Sequence, residues 1–282
     1  MQLSKATAEI YTWDDAGPAE ALAKTTHMAI GAHQDDIEIM AMDGILQCWN
    51  QPGKGFSGVV VSDGAGSPRE GVYASFTDAE MRQVRRREQK KAAYVGEYRT
   101  AVFLDHSSAE IKNAANPGPL EDLKAILSAA RPEVLYAHNL ADKHDTHIAV
   151  ALRTIAAIRS LPAAHRPRKL YGCEVWRNLD WMLDDEKTIF VLDRHENLAM
   201  SLVGIFDSQI AGGKRYDLAT QGRRRANATY LQSHATDTAT LASFAMDLTP
   251  LVTDENLDIE EFVQQRIRRF AEDVTARLKK FS

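Results

Sequence analysis

The sequence predicts an α/β protein: a Rossmann-like, mostly parallel sheet with helices on both faces and a helical C-terminal portion. Three observations predict it. Short runs rich in Val, Ile, Leu and aromatic residues recur at 27–32, 58–62, 101–105, 134–138, 170–175 and 188–192, and most are apolar throughout, as strands covered on both faces should be. Helical stretches at 36–49, 77–96, 119–130 and 144–160 separate most of these runs, and such alternation implies parallel strands joined by crossovers. Two of the runs stop abruptly in histidine and aspartate, at the sheet edge where open α/β sheets collect ligands.

Composition sets the limits. The chain has 282 residues, 44% of them hydrophobic and 26% charged, enough for one large domain with a sizeable core. We expect a single domain over 1–282, with an irregular N-terminal arm at 1–25 and a C-terminal extension at 234–282. A formal charge of -5 and a pI near 6.0 argue against nucleic acid or an anionic membrane as partner. Two cysteines, Cys48 and Cys173, form no disulfide framework and no zinc site by themselves, and suit a reducing compartment. No apolar leader and no run of about 18 apolar residues occurs. The expectation is a cytoplasmic protein acting on a small molecule, with homo-oligomerisation left open.

In chain order, the run Met28 to Ala32 reads as a buried strand and ends in His33-Gln34-Asp35-Asp36. Acids in a helix's first turn are common, but that does not explain a histidine closing the strand. The second run leads into Asp63-Gly-Ala-Gly66-Ser-Pro-Arg69-Glu-Gly71, which lacks dinucleotide or Walker spacing and reads as a mobile active-site loop, with Arg69 a candidate substrate contact. The helix at 77–96 opens with Thr77-Asp-Ala-Glu80, a capping-box spacing, and Gly96 closes it. The run Val134 to His138 leads to Asp142-Lys-His144-Asp145-Thr146-His147, with a helix starting near Asp142 or His144, so that His144 and His147 share a face of its first turn. Trp176 and Trp181 follow the fifth run and suit sugar stacking or core packing equally. After Leu192 the pattern turns helical, at 197–211, at 217–233 and from Asp258 onward. In the last helix Ile259, Phe262, Val263, Phe270, Val274, Leu278 and Phe281 recur at spacings that predict one buried face.

If the first and fourth runs bring their polar ends together, His33, Asp36 and His147 supply three nitrogen and oxygen ligands and leave a fourth position open. That is the catalytic form of a zinc site, since structural zinc is closed by four ligands, usually with cysteine.

These residues resemble the PIG-L/LmbE-like family of zinc-dependent N-acetylglucosaminyl deacetylases. Ala32-His33-Gln34-Asp35-Asp36-Ile37 matches the family's Ala-His-Pro-Asp-Asp-Glu, with Gln34 in place of proline and Ile37 in place of the glutamate, although Glu38 follows. His144-Asp145-Thr146-His147 matches its second motif, with Thr146 where aspartate is usual. Arg85-Arg-Arg-Glu88 and Ser208-Gln209 match two further elements, so the resemblance spans about 26–230. It implies that His33, Asp36 and His147 bind Zn²⁺ (or Fe²⁺ in the cell) and that Asp35 is the general base on water. It further implies that His144 is an acid or oxyanion stabiliser, and that Arg85 and Asp105 meet sugar hydroxyls. The implied activity is removal of an N-acetyl group from a GlcNAc-type sugar or conjugate. The alternatives are an amidase acting on a thiol or other acylamino conjugate, and a non-catalytic sugar- or nucleotide-binding α/β protein. The absence of glycine from Ala32–Ile37 disfavours a nucleotide, and retention of Asp35 disfavours a binding protein.

Overall fold

The computed structural model describes residues 1–14 and 16–282. Among the described residues eight strands form one sheet: β1 (Glu9–Tyr11), β2 (His27–Gly31), β3 (Phe56–Ser62), β4 (Thr100–His106), β5 (Val134–His138), β6 (Lys169–Cys173), β7 (Lys187–Val191) and β8 (Ala242–Asp247). Their order across the sheet is β1-β4-β3-β2-β5-β6-β8-β7. The central five, β4 to β6, are parallel, while β1, β8 and β7 join antiparallel at the flanks. The fold class is the one read from the sequence.

Strand residues alternate between two cores. Met28, Ile30, Val59, Val61, Val102, Leu104 and Leu135 face one side, packed with α6 (Gly118–Ala130) and α7 (Asp145–Arg159). Ala29, Val60, Phe103 and Tyr136 face the other, packed with α2 (Asp36–Met40), α3 (Met42–Cys48), α4 (Asp78–Val95) and α8 (Glu196–Gly204). Cover on both faces is why these strands are apolar at every position instead of every second one.

β2 lies between β3 and β5, so the chain winds outward in one direction from β2 to β4 and in the other from β5 to β6. The carboxyl ends of β2 and β5 therefore meet at the switch point of the sheet, the crevice where such folds place ligands.

Five expectations change. The arm holds a strand, β1, paired with β4, and a short helix, α1 (Pro18–Ala23); three residues of β1 were too few to show a period. The helix expected at 36–49 breaks at Ala41, whose backbone (φ -111, ψ 25) is not helical, and that at 197–211 divides into α8 and α9 (Asp207–Ile210). β8 lies within the stretch read as helical, between α10 (Tyr216–Tyr230) and α11 (Pro250–Thr253). The last helix, α12 (Ile259–Phe281), is capped by Asp258, whose side chain accepts from Glu261 N, but its apolar face is not buried. Only Phe262 is enclosed, while Phe270 (40% exposed), Leu278 (68%) and Phe281 (83%) face solvent. Periodicity reports that a face is apolar, not that the body extends far enough to cover it, and here the helix outruns its support after the second turn.

Candidate active site

β2 ends at Gly31, and the chain turns sharply through His33-Gln34-Asp35 before α2 begins. The turn places Asp35 at φ 96, a conformation that costs a non-glycine residue about 1–3 kcal/mol. β5 ends at His138, and the loop that follows delivers His144 as N-cap of α7 and His147 in its first turn. Because β2 and β5 are hydrogen-bonded neighbours, the two loops meet.

They close a triangle. His33 Nδ1 stands 3.2 Å from Asp36 Oδ2 and 3.2 Å from His147 Nε2, and His147 Nε2 lies 3.4 Å from Asp36 Oδ2. Ligands about 2.0–2.1 Å from a tetrahedral zinc stand about 3.3–3.4 Å apart, so these edges have the size of a coordination face. The donor chemistry agrees. His147 is fully buried and its Nδ1 lies 3.3 Å from Asp142 Oδ2; the pairing assigns the proton to Nδ1 and leaves a lone pair on Nε2. A proton on His33 Nδ1 could serve one neighbour, whereas a divalent ion serves all three. One carboxylate with two imidazoles suits zinc or iron(II).

His138 also comes close, with Nε2 3.4 Å from Asp36 Oδ2. That nitrogen accepts the Ala32 N–H at 2.9 Å, so its lone pair is spent, and we leave it out of the ligand set. Burial alone would raise the Asp36 carboxyl, but the His147 and His138 imidazoles outweigh it and hold it well below the ordinary range. Burial brings His147 down to about 4, against the pull of Asp36.

Two sets of side chains here are close enough to hold an ion, His33 with His144 and His147, and Asp36 with His138 and His147; Asp35 faces the same cavity but belongs to neither. Its Oδ2 accepts from Arg85 Nη2 at 2.9 Å, and its N–H donates to Gln89 Oε1. Burial pushes its carboxyl up to about 6, with Arg85 pulling downward. Arg85, 1% exposed, also donates to the Gln34 carbonyl and faces Glu88 at 3.5 Å. Glu88 in turn accepts from both the N–H and the hydroxyl of Ser208, at 2.7 and 2.6 Å. The Arg-x-x-Glu and Ser-Gln elements are thus one buried network behind Asp35.

Sequence reasoning missed Asp142 as an organiser. Besides His147 it accepts from the N–H groups of Lys143, His144 and Trp176, so the imidazole is oriented from the loop and not from position 146. Its carboxyl is lowered, burial being outweighed by the bond from His147. The signal was present, an acid five residues before a candidate ligand, but nothing in the sequence separates it from Asp145. His144 stacks on His147, ring centroids 4.5 Å apart, and burial is the largest cause lowering its imidazole. Between the helix start and the nearby acids, neither decides that shift.

The cavity over these groups measures about 320 Å³, within the range of small-molecule sites. His33, Asp35, Asp36, Arg85 and His144 line it, joined by Trp176, Gln209, Lys214 and Tyr216, the last four not anticipated as a group. Gly64, in its wall, has φ +75, and a Cβ there would meet Gln34 Oε1 at 2.5 Å, which explains a glycine in this loop. Two expected substrate contacts lie elsewhere. Asp105 pairs with Arg86 at 3.0 Å, and Arg69 with Asp78 and the Ala65 carbonyl; neither lines the cavity.

Residues 28–158 match the PIG-L family, described as GlcNAc-PI de-N-acetylase. No curated protein matches the chain. Among solved structures, N,N'-diacetylchitobiose deacetylase from Pyrococcus horikoshii is similar with a TM-score of 0.64 at 13% identity, over 83% of this chain and 87% of that one. GalB, the 4-carboxy-2-hydroxymuconate hydratase from Pseudomonas putida KT2440, gives 0.59 at 16% identity, over 83% and 100%. An A40926 pseudoaglycone deacetylase gives 0.56 at 14% identity, over 79% and 97%. At these identities the likeness shows the fold alone.

Proposed function

From the premise that residues 28–158 are a PIG-L-type segment, we propose that the chain is a metal-dependent N-deacetylase. Its substrate in this reading is an N-acetyl amino sugar or a conjugate of one. The observation that carries the reading is the division of labour between adjacent acids: Asp36 is enclosed by imidazoles, while Asp35 faces the cavity, held by Arg85 and outside both ligating clusters. A divalent ion, zinc in this reading, would be held by His33 Nδ1, Asp36 Oδ2 and His147 Nε2 and would supply Lewis acidity, making water more acidic and the acyl carbonyl more electrophilic.

The protein's own groups do the rest. Asp35 accepts the proton that the attacking water gives up as its oxygen bonds to the acyl carbon. The salt bridge to Arg85 fixes the carboxylate's direction, so no reorganisation is needed as the proton arrives. His144 donates an N–H to the acyl oxygen as charge gathers there. When the C–N bond breaks, the proton on Asp35 passes to the departing nitrogen, leaving acetate and a free amine. Trp176, Gln209 and Tyr216 line the rest of the cavity and suit a sugar face and its hydroxyls.

The fold itself does not select this chemistry, since GalB is a hydratase. The deciding experiment is a panel of N-acetylated sugars and acylamino conjugates offered to metal-loaded protein. Acetate and primary amine should appear in equal amounts, and Asp35→Asn should keep its metal while losing about 10²–10⁴-fold in turnover. Near wild-type turnover in that variant removes Asp35 from the mechanism, and no amine from any compound removes the reaction.

A further inference from the structure

We infer that Gln89 is a positioning residue for Asp35: it locks the peptide plane between Gln34 and Asp35, and Glu38 sets the direction of its amide. The inference rests on the proposed role of Asp35 as base and adds two residues behind it. It begins from the backbone. Asp35 holds φ 96, and turning the preceding peptide over would return that angle to the negative side that L residues favour. Two contacts oppose the turn. The Gln34 carbonyl accepts from Arg85 Nη2, and the Asp35 N–H donates to Gln89 Oε1 at 3.3 Å. Carbonyl and N–H of a trans peptide point in opposite directions, so the plane is held at both edges. Arg85 and Gln89 stand four apart on α4, on one face of the helix. The same Arg85 Nη2 binds Asp35 Oδ2 at 2.9 Å, so a turned peptide would pull the guanidinium's carbonyl partner out of line with the carboxylate it directs.

Gln89 is completely buried, and an amide can present either its oxygen or its nitrogen. Glu38, also completely buried, makes that choice. Its Oε1 accepts from Gln89 Nε2 at 2.7 Å and from the Tyr98 hydroxyl at 2.7 Å. Oε2 has no partner, so a proton taken up by this carboxyl goes there, and Oε1 stays an acceptor in either state. A reversed amide would set oxygen against oxygen at Glu38 and N–H against N–H at Asp35. Both bonds would be lost where water cannot replace them. Tyr98 is itself seated edge-on to Phe56 at 4.7 Å, in a space that Gly96 leaves open, since a Cβ there would meet the ring at 2.4 Å. The chain Tyr98, Glu38, Gln89 thus runs from the core to the backbone of Asp35, and none of the three lines the cavity.

Turnover, metal content and amide exchange of the full-length, metal-loaded protein test the lock together. Gln89→Met keeps the length of the side chain and removes the amide. It should retain about one divalent ion per chain, leave KM within about twofold and lower kcat about 10–100-fold, the size of a misplaced reacting group. Glu38→Met frees the Gln89 amide to turn and should act similarly. Glu38→Gln keeps an acceptor oxygen for both donors and should hold kcat within about fivefold of wild type. Because both residues act through one peptide, Gln89→Met combined with Glu38→Met should lose no more than Gln89→Met alone. Multiplied losses would mean separate packing roles and overturn the proposal. An unchanged kcat in Gln89→Met overturns it too, as does a loss carried by KM or by departed metal. The Asp35 N–H gives a reading independent of any reaction. Its hydrogen exchange, followed by NMR, should quicken about tenfold or more in Gln89→Met and stay near wild type in Glu38→Gln. If no N-acetyl compound releases amine from the wild type, deacetylation falls, and this exchange alone upholds the lock or, unchanged, removes it.

Discussion

The loops that follow β2 and β5 carry the same residue types and are held in opposite ways. After β2, Asp35 sits in a strained backbone conformation and takes its partners from a distant helix, Arg85 and Gln89 of α4. After β5, Asp142 binds its own loop, accepting from the N–H groups of Lys143 and His144 before it reaches His147 and Trp176. An acid satisfied by its own backbone is immobile and suited to fixing an imidazole. An acid held by one guanidinium at a cavity wall can take up a proton and give it back. The same chemistry at two strand ends thus becomes a clamp in one case and a base in the other.

The sharpest way to break this comparison is to remove the ligand that the clamp holds. Metal-loaded protein should contain about one divalent ion per chain, and His147→Ala should bring this close to zero by elemental analysis, with turnover lost. His138→Ala should keep the ion, because its Nε2 is engaged by the Ala32 N–H. Loss in the second variant and retention in the first would exchange their roles.

Next in size is the support behind the base. Arg85→Ala leaves the buried carboxylates of Asp35 and Glu88 without their cation, and breaking a buried pair in this way costs about 3–5 kcal/mol. Urea unfolding should show that loss. A change below about 1 kcal/mol would mean that Arg85 does not hold the β2 loop together.

Asp142→Asn tests the clamp more gently. The amide keeps acceptor capacity toward the loop but loses the charge opposite His147 Nδ1, so metal affinity should fall about 10–100-fold in a chelator competition. Unaltered affinity would make Asp142 a loop former only.

Much of this was legible in the sequence because it is local. A strand buried on both faces reads as a short apolar run, and His33 and Asp36 follow one directly. The capping box at Thr77 and Glu80 is present, with the side chain and backbone bonds both made. What was not legible depends on contacts across the chain. The Arg-x-x-Glu element singled out Arg85 from Arg86 and Arg87 as a sugar contact, but not its buried bond to Asp35. β8 escaped because it follows a helical stretch and pairs with β6, about 70 residues earlier. The open stripe on α12 escaped for the opposite reason: a 3.6-residue period says which side of a helix is apolar, and only the neighbouring elements decide whether it is covered.

A histidine–carboxylate pair away from the cavity offers the smallest effect and the most specific contrast. At the end of β4, His106 Nε2 lies 2.9 Å from Asp122 Oδ2, the same pairing as His147 with Asp142, yet it faces the N-terminal arm and not the cavity. Asp122 also accepts from the N–H and hydroxyl of Ser4, and Lys5 bridges to Glu110 of the short helix α5 (Ser108–Lys112). The bond from Lys5 is the largest cause holding Glu110 down to about 2, and the bonds to Asp122 from His106 and Ser4 outweigh the burial that would raise it. Both groups have folded values below their unfolded ones, so their contribution is complete above about pH 4.5 and is lost as the pH falls toward 2. Glu110 lies near the surface, which screens its share to about 1 kcal/mol or less. Limited proteolysis should therefore show residues 1–11 becoming susceptible across that window, sooner in high salt, and Glu110→Gln should move the onset upward. Protection that persisted unchanged down to pH 2 would show that apolar packing, from Leu3 and Ile10 against the core, seats the arm without help from its ion pairs. The His106–Asp122 pair would then be matched to its partners but not needed by them, whereas the pair under the cavity is needed for the site it orients.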